Sequence, residues 1–432
     1  MAFDQDELNK RRMQREQRAK QRQARQRKQM ITGLIAAAVV LAGCGIVILL
    51  STRNTGNGDT LNQTTEPVQS TASAQVAETT QPEDKTVIHI AAAGDLNVTD
   101  KTVAAGDTGS GYDYTDVFMD VTPLLADADL TVMNFEGNLM GTPYGAAGNG
   151  SAPQQMMEAL ANSGVDLIQM ANSCSINNGL AGLAQTLEGI RSEGMEPLGA
   201  YASTEEFQKS GGYVIRQVQG IRVAFVAFTK GMGNLGLPEG SEDCVNLLYT
   251  DYSSNYQKVD TEGITQLLRN LQEEEVPDVT IALLHWGSEY NDQISDSQED
   301  IVDLMYAEGV DAIIGTHSHY VQEMKFDQEN NRFLAYSLGD FFGDAERSGS
   351  KYSVILNLEI TKDNLTGTTT ITDYSYDPIF TQTGESGMKV VRLADAIAAY
   401  EADYIQRISD EDYESMVYAR TRIEARIHPD SE

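Results

Sequence analysis

Cysteine is scarce in this chain. Three occur in 432 residues, and only Cys174 and Cys244 lie beyond the first fifty positions. A disulfide framework is excluded; one bridge is possible, though spacing alone cannot show it. So low a count fits an extracytoplasmic bacterial protein that rests on its core. Basic residues are also few, 31 Lys and Arg against 64 Asp and Glu, for a formal net charge of −33. Residues 1–53 hold 11 of the basic residues and 4 of the acidic ones, which leaves 20 against 60, a balance of −40, for the rest. Such a domain offers no basic surface to nucleic acid. It also repels a polyanionic polymer unless bound cations or a local basic groove intervene. Histidine is scarce too, five in all, so the position of each one is informative.

One long apolar run is present. Residues 31–50 are uncharged and long enough to span a bilayer. A dense Lys/Arg/Gln segment from Lys10 to Lys28 precedes them. Basic flanks stay cytoplasmic, so residues 1–30 are expected inside as a basic tail, with everything after Leu50 outside a single-pass cell-membrane anchor. Leu41-Ala42-Gly43-Cys44 also resembles the lipobox of bacterial lipoproteins, although the apolar run continues past Cys44 to Leu50. An uncleaved span and a lipid anchor on Cys44 both tether the chain outside the membrane. Residues 51–84 are rich in Thr, Ser, Asn, Gln and Glu and read as a flexible linker.

From Lys85 the texture changes to apolar strands alternating with helical patterns. Strands are expected at Val87–Ala93, Leu130–Asn134, Val165–Met170, Arg222–Phe228, Val279–Leu284, Ala312–Gly315 and Phe333–Ser337. Helices are expected near Pro153–Ser163, Gly179–Gly194, Gly263–Glu275 and Ser297–Gly309. This alternation predicts an α/β core over 85–345. Residues 346–432 read as a hairpin within Tyr352–Ile379 and two amphipathic helices within Val391–Arg426, completing or flanking the domain.

Three of the five histidines follow apolar strands. His285 ends Thr280-Ile281-Ala282-Leu283-Leu284, and His317 and His319 follow Val310-Asp311-Ala312-Ile313-Ile314. In extended backbone, residues two apart point the same way, so both imidazoles of the pair are expected to face one point. Other strand ends carry Asp95 and Asn97, Asn134 and Glu136, and Asn172-Ser173-Cys174. Open α/β sheets place ligand-binding groups at the carboxyl ends of strands. Carboxylates, carboxamides and imidazoles at the same edge of one sheet suit Zn, Mn or Fe, and a two-metal cluster is feasible. His89 lies within an alternating strand and reads as structural, and His428 is given no role.

These motifs, in this order, resemble the CapA or poly-γ-glutamate capsule synthesis family. The matching segments are Gly94-Asp95, Asn134-Phe135-Glu136-Gly137, Ala171-Asn172, His285-Trp286-Gly287-Ser288-Glu289-Tyr290, Gly315-Thr316-His317-Ser318-His319 and Tyr336-Ser337-Leu338-Gly339-Asp340-Phe341. The resemblance implies a metallo-dependent phosphatase-like, four-layer α/β/β/α sandwich and work on a cell-envelope polymer beside a polymer synthase or exporter. It implies metal ligation by Asp95, Glu136, His285, His317 and His319, with Asn97 or Asn172 as further ligands. Three positions depart from the family pattern. Its third motif usually reads Ala-Asn-Asn-His, where Ser173 and Cys174 replace the ligating Asn and the catalytic His. The usual Asn after Ser-Leu-Gly is Asp340, which could repel a phosphate or add a ligand. Two functions therefore stand side by side: a metal-dependent phosphoesterase-like hydrolase or transferase, and a non-catalytic capsule-assembly component with a decayed active site.

Overall fold

The computed structural model describes residues 84–344, 349–384, 387–402 and 408–429. The expected tail at 1–30, span at 31–50, Cys44 anchor and all but the last residue of the linker lie outside them. Among the described residues no helix is long and apolar enough to cross a membrane.

Two sheets carry the fold. The first has eight strands: β1 (Lys85–Asn97), β2 (Leu130–Glu136), β3 (Leu167–Gln169), β4 (Glu196–Leu198), β11 (Asp340–Phe342), β12 (Tyr352–Asp363), β13 (Thr369–Gly384) and β14 (Gly387–Arg392). Their order is β14-β13-β12-β1-β2-β3-β4, with β11 pairing to β1 off that path. The second runs β5-β6-β7-β8-β10-β9, built from β5 (Tyr213–Val218), β6 (Ile221–Thr229), β7 (Val279–His285), β8 (Ala312–Thr316), β9 (Met324–Asp327) and β10 (Arg332–Ala335). β1 to β4 are mutually parallel, as are β6 to β8, so each sheet gathers its strand ends along one edge.

Alternation along the second sheet shows how the layers stack. Val223, Phe225 and Ala227 join the core shared with the first sheet, whereas Ala224, Val226 and Phe228 face outward. That outer face is covered by α3 (Thr261–Glu274) and α4 (Asp296–Ala307). α3 buries Ile264, Leu267, Leu268 and Leu271, the spacing of one helical stripe. Each such side chain contributes about 1.5–3 kcal/mol of transfer free energy. Helices α1 (Gln154–Ser163) and α2 (Gly179–Ser192) bury Met156, Leu160, Leu183 and Leu187 in the core of the first sheet. The result is the α/β/β/α sandwich that the family resemblance implies.

Residues beyond the expected core domain are woven into it. β12 pairs antiparallel with β1 from Lys85↔Asp363 to Ala93↔Ile355. α5 (Leu393–Glu401) and α6 (Asp410–Ile427) follow, and Met416, Ala419, Ile423 and Ile427 seat one face of α6 in the core. Cys174 and Cys244 are both free thiols.

Candidate metal centre

Both sheets contribute, which corrects the expectation of a single sheet edge. The first supplies Asp95 and Asn97 from β1, Asn134 and Glu136 from β2, and Asp340 from β11; Asn172 and Ser173 follow β3. The second supplies His285 from β7 and the His317/His319 pair after β8. The first strand, expected to end at Ala93, runs on through Gly94 and Asp95. Pairing with β2 shifts register between Ala93 and Asp95, and β1 then continues to Asn97. Gly94 permits this, because a Cβ there would lie 1.8 Å from the Gly339 carbonyl oxygen. The Asp95 amide donates to that same carbonyl at 2.9 Å, which locks Asp340 beside Asp95.

Two groups of ligand atoms result, and Asp95 belongs to both. Asp95, His319 and Asp340 offer atoms within 4.8 Å of one another, as do Asp95, Glu136 and His285. All five residues are buried. Asn97 donates to Asp340 Oδ1 at 2.9 Å, beside the His319 Nδ1 contact to the same oxygen at 2.7 Å. Asp95 Oδ1 accepts from Asn134 Nδ2 at 2.6 Å, and Asp95 Oδ2 accepts from the His317 amide at 3.0 Å. Thr316 Oγ1 lies 3.1 Å from His285 Nδ1. This leaves His285 Nε2 buried without a hydrogen-bond partner among the described residues, as is His317 Nδ1. Buried ring nitrogens normally find partners. His285 fits a cation site with Asp95 and Glu136, whereas His317, expected as a ligand, is in neither group and meets the site through the His285 ring.

Electrostatics point the same way. Burial pushes the Asp95 carboxyl up to about 6 and Glu136 up to about 8, Glu136 being lifted further by the charge of Asp95. Asp340 is also raised by burial. Burial and neighbouring cationic groups hold His285 and His317 well below the usual imidazole range, leaving them neutral as ligands must be. His319 differs: burial opposes its charge, but Asp340, Glu136 and Asp95 lift it to about 10. Carboxylates driven toward protonation by burial are what a cation of higher charge would relieve.

The third motif is a tight turn closed on itself. Asn172 Nδ2 donates to Asn134 Oδ1 at 3.0 Å and to the Phe135 carbonyl at 2.7 Å, while its Oδ1 accepts from the Cys174 amide at 2.9 Å. Asn172 thus steadies Asn134, which steadies Asp95. Ser173 Oγ donates to Glu136 Oε2 at 2.9 Å. Cys174 lies 3.7 Å from Ser173 Oγ, and burial, then the charge of Glu136, push its thiol up to about 12.

The histidine pair meets by a route the sequence reading did not foresee. His317 and His319 have φ of 89° and 60°, left-handed backbone and not the extended strand that was expected. A chain turning back on itself brings the rings together, with centroids 4.4 Å apart for His285–His317 and 6.2 Å for His317–His319. Tyr290 stacks on His319 at 4.7 Å. Gly315 lets β8 pass close, since a Cβ would fall 1.9 Å from the Tyr336 carbonyl oxygen. Thr316 was missed as a supporting residue, and Asn134, named among the strand-end carboxamides, orients Asp95. The available signal was a polar side chain inside an otherwise apolar strand end.

Residues 89–345 match the family described as bacterial capsule synthesis protein PGA_cap. The chain is 26% identical over 265 residues to the capsule biosynthesis protein CapA of Bacillus anthracis, covering 59% of each. It is 22% identical over 251 residues to the PGA biosynthesis protein CapA of Bacillus subtilis (strain 168), covering 57% of this chain and 62% of that one. The matched region thus spans 59% and 62% of the length of these curated relatives. Among solved structures, the calcineurin-like phosphoesterase YfkN of Bacillus subtilis aligns with TM-score 0.39 and 17% identity, covering 79% of this chain and 97% of that one. A phosphatase of Mycoplasma pneumoniae aligns with TM-score 0.40 and 13% identity, covering 68% and 94%.

Proposed function

The chain belongs to the bacterial capsule synthesis protein family, and from that premise we propose that it serves in making a capsule or poly-γ-glutamate-type envelope polymer through a divalent-metal centre of phosphoesterase type. The observation that carries the metal reading is the pair of buried carboxylate–imidazole groups sharing Asp95. Asp95, Asp340 and His319 would hold one ion of the Zn, Mn or Fe class, with Asn97 beside them. Asp95, Glu136 and His285 would hold a second, with the His317 ring against that of His285. Such ions supply Lewis acidity and lower the pKa of water.

The chain's own groups set the geometry. Asn134 and the His317 amide orient the Asp95 carboxylate, Ser173 orients Glu136, and Thr316 orients the His285 ring. Such supporting hydrogen bonds fix ligand orientation and basicity. What the third motif lacks is a proton donor for a leaving group, because the neutral Cys174 thiol is no substitute for an imidazolium. That observation favours a second reading, in which the same centre serves a non-catalytic assembly component.

The setting is proposed on sequence grounds. The apolar run at 31–50 behind its basic flank supports a single-pass membrane anchor with the main domain outside. Partners would be the membrane, the polymer, and synthase or exporter subunits. The acidic balance argues against nucleic acid. The test is to purify the full chain, measure bound metal by mass spectrometry, and assay the same sample on an activated phosphoester. One or two equivalents of metal are expected. A chain that stays metal-free after incubation with Zn²⁺ and Mn²⁺ overturns the metal reading, and metal without turnover selects the assembly role.

A further inference from the structure

The loop bearing His317 and His319 is held in costly backbone. Of eight non-glycine residues with positive φ among the described residues, three lie here: Tyr290, His317 and His319. Such conformations persist only where the surroundings over-determine them. Part of that support is local. The Tyr290 amide donates to the Ser318 carbonyl at 2.8 Å, and Gln322 Nε2 donates to the Asn291 carbonyl at 3.0 Å.

Asp95 and Asp340 hold it from the first sheet, and a further support comes from α6, beyond the residues that match the family. Its Arg426 reaches back to this loop. The guanidinium carbon lies 4.7 Å from the Tyr320 ring centroid and 5.8 Å from that of Tyr352. Nη2 reaches Asp292 Oδ2 at 3.5 Å, and the side chain is only 12% exposed. Nε and Nη1 are buried with no hydrogen-bond partner among the described residues. A guanidinium is costly in such a place unless aromatic faces compensate it. Those faces lead inward: Tyr320 meets Tyr290 edge-on at 6.1 Å, and Tyr290 stacks on His319 at 4.7 Å.

We infer that Arg426 is a positioning residue for the metal centre: it clamps the Tyr290–Asp292 and His319–Tyr320 segments together, so that presentation of His319 depends on α6. The inference deepens the metal reading and rests on it for its function, but the clamp itself can be read without metal. Hydrogen exchange should be followed in the metal-free full chain for Arg426→Met, Arg426→Lys and, as a control on the same helix, Glu424→Gln. Glu424 meets Tyr376 at the surface and is outside the clamp.

Arg426→Met should raise exchange across residues 315–322 by about tenfold while β7 keeps its protection. Arg426→Lys should fall between, because a compact ammonium cannot lie flat between two rings. Glu424→Gln should match the parent. Affinity for Mn²⁺, measured by calorimetry, should fall about tenfold in Arg426→Met, the size of loss typical when a ligand's support is removed. Unchanged exchange at 315–322, or exchange raised equally across both sheets, overturns the clamp. If Arg426→Met does not fold, the comparison of Arg426→Lys with the parent decides by the same criterion. A parent that binds no Mn²⁺ removes the metal reading and with it the clamp's role in presenting a ligand, whereas lost loop protection with unchanged Mn²⁺ affinity overturns the positioning role alone.

Discussion

Removing metal should make this protein less stable as pH rises, and restoring metal should reverse the slope. Glu136 has a folded-state pKa of about 8 against 4.5 for an ordinary carboxyl. The fold therefore holds a proton that the unfolded chain has already released. Stability falls with pH wherever the folded state binds more protons. His319 acts in the same direction from another starting point. Its folded pKa of about 10 lies above 6.5, so its stabilising charge is fully present below pH 6.5 and is lost as pH rises toward 10. Neutral His285 and His317 weaken the fold only below about pH 6.5, where the unfolded imidazoles take up protons. The window from pH 6.5 to 8 is therefore clean.

Across that window each retained proton is worth about 1.4 kcal/mol per pH unit, so one or two of them cost about 2–4 kcal/mol. For a domain of this size that is a fall in Tm of about 5 °C. Added metal stabilises the folded state by about 2.7 kcal/mol at a hundred times its Kd. Its ligands must lose protons to bind, so the gain grows with pH. The assay is thermal unfolding of chelator-treated chain at pH 6.5, 7.25 and 8, with and without Mn²⁺. Glu136→Gln should lessen the metal-free slope, leaving the part due to His319, and weaken the metal response by removing one of the two ligand groups. A metal-free Tm that is level or rises over this window, or a Glu136→Gln variant that keeps both slope and rescue, would refute the reasoning.

Gly315→Ala should destabilise the fold by about 3 kcal/mol, since overpacking at a rigid contact has no cheap relief. Its Cβ would meet the Tyr336 carbonyl oxygen at 1.9 Å and Trp286 Nε1 at 2.5 Å, so a parent-like Tm would contradict the close approach of these strands. Ser173→Asn combined with Cys174→His should raise hydrolysis of an activated phosphoester by about a hundredfold, the lower range of general acid assistance. A double variant that binds metal normally and gains no rate would show that the missing proton donor is not what limits turnover.

The strands that carry the site were legible because their burial is written in continuous apolar runs, as in Val279–His285 and Leu130–Glu136. The longer helices were legible for the matching reason, a stripe at helical spacing such as that of α3. Of the three-residue strands, β3 was legible within Val165–Met170 but β4 and β11 were not. β4 and β11 have three residues each and take their conformation from neighbours in the sheet, which no local pattern encodes. Their loss mattered, because β11 sets Asp340 beside Asp95. The division of ligands between two sheets was equally hidden, since strand order is a tertiary fact. For the histidine pair, a place after a buried strand argued for rings facing one site but also for extended backbone, and the backbone is left-handed instead. Left-handed φ at a non-glycine residue is imposed by surroundings, and nothing in Thr316-His317-Ser318-His319 announces it.

The three departures from the family pattern fall within one set of touching side chains, Ser173 and Cys174 beside Glu136 and Asp340 beside Asp95. Replacing the usual His by Cys174 removes a cationic proton donor and leaves a neutral thiol. Replacing the usual Asn by Ser173 exchanges a metal-ligating carboxamide for a hydroxyl that donates to Glu136. Replacing a neutral carboxamide by Asp340 adds a buried carboxylate 2.7 Å from the His319 ring. The Ser173 change gives up a carboxamide ligand, Asp340 adds a carboxylate, and none of the three helps to accommodate an incoming anion. A buried cluster of three carboxylates without a cation would be expensive to fold, since each like charge disfavours the ionised form of the others. A cation held by this cluster would offset that cost whether or not the centre turns over a phosphoester.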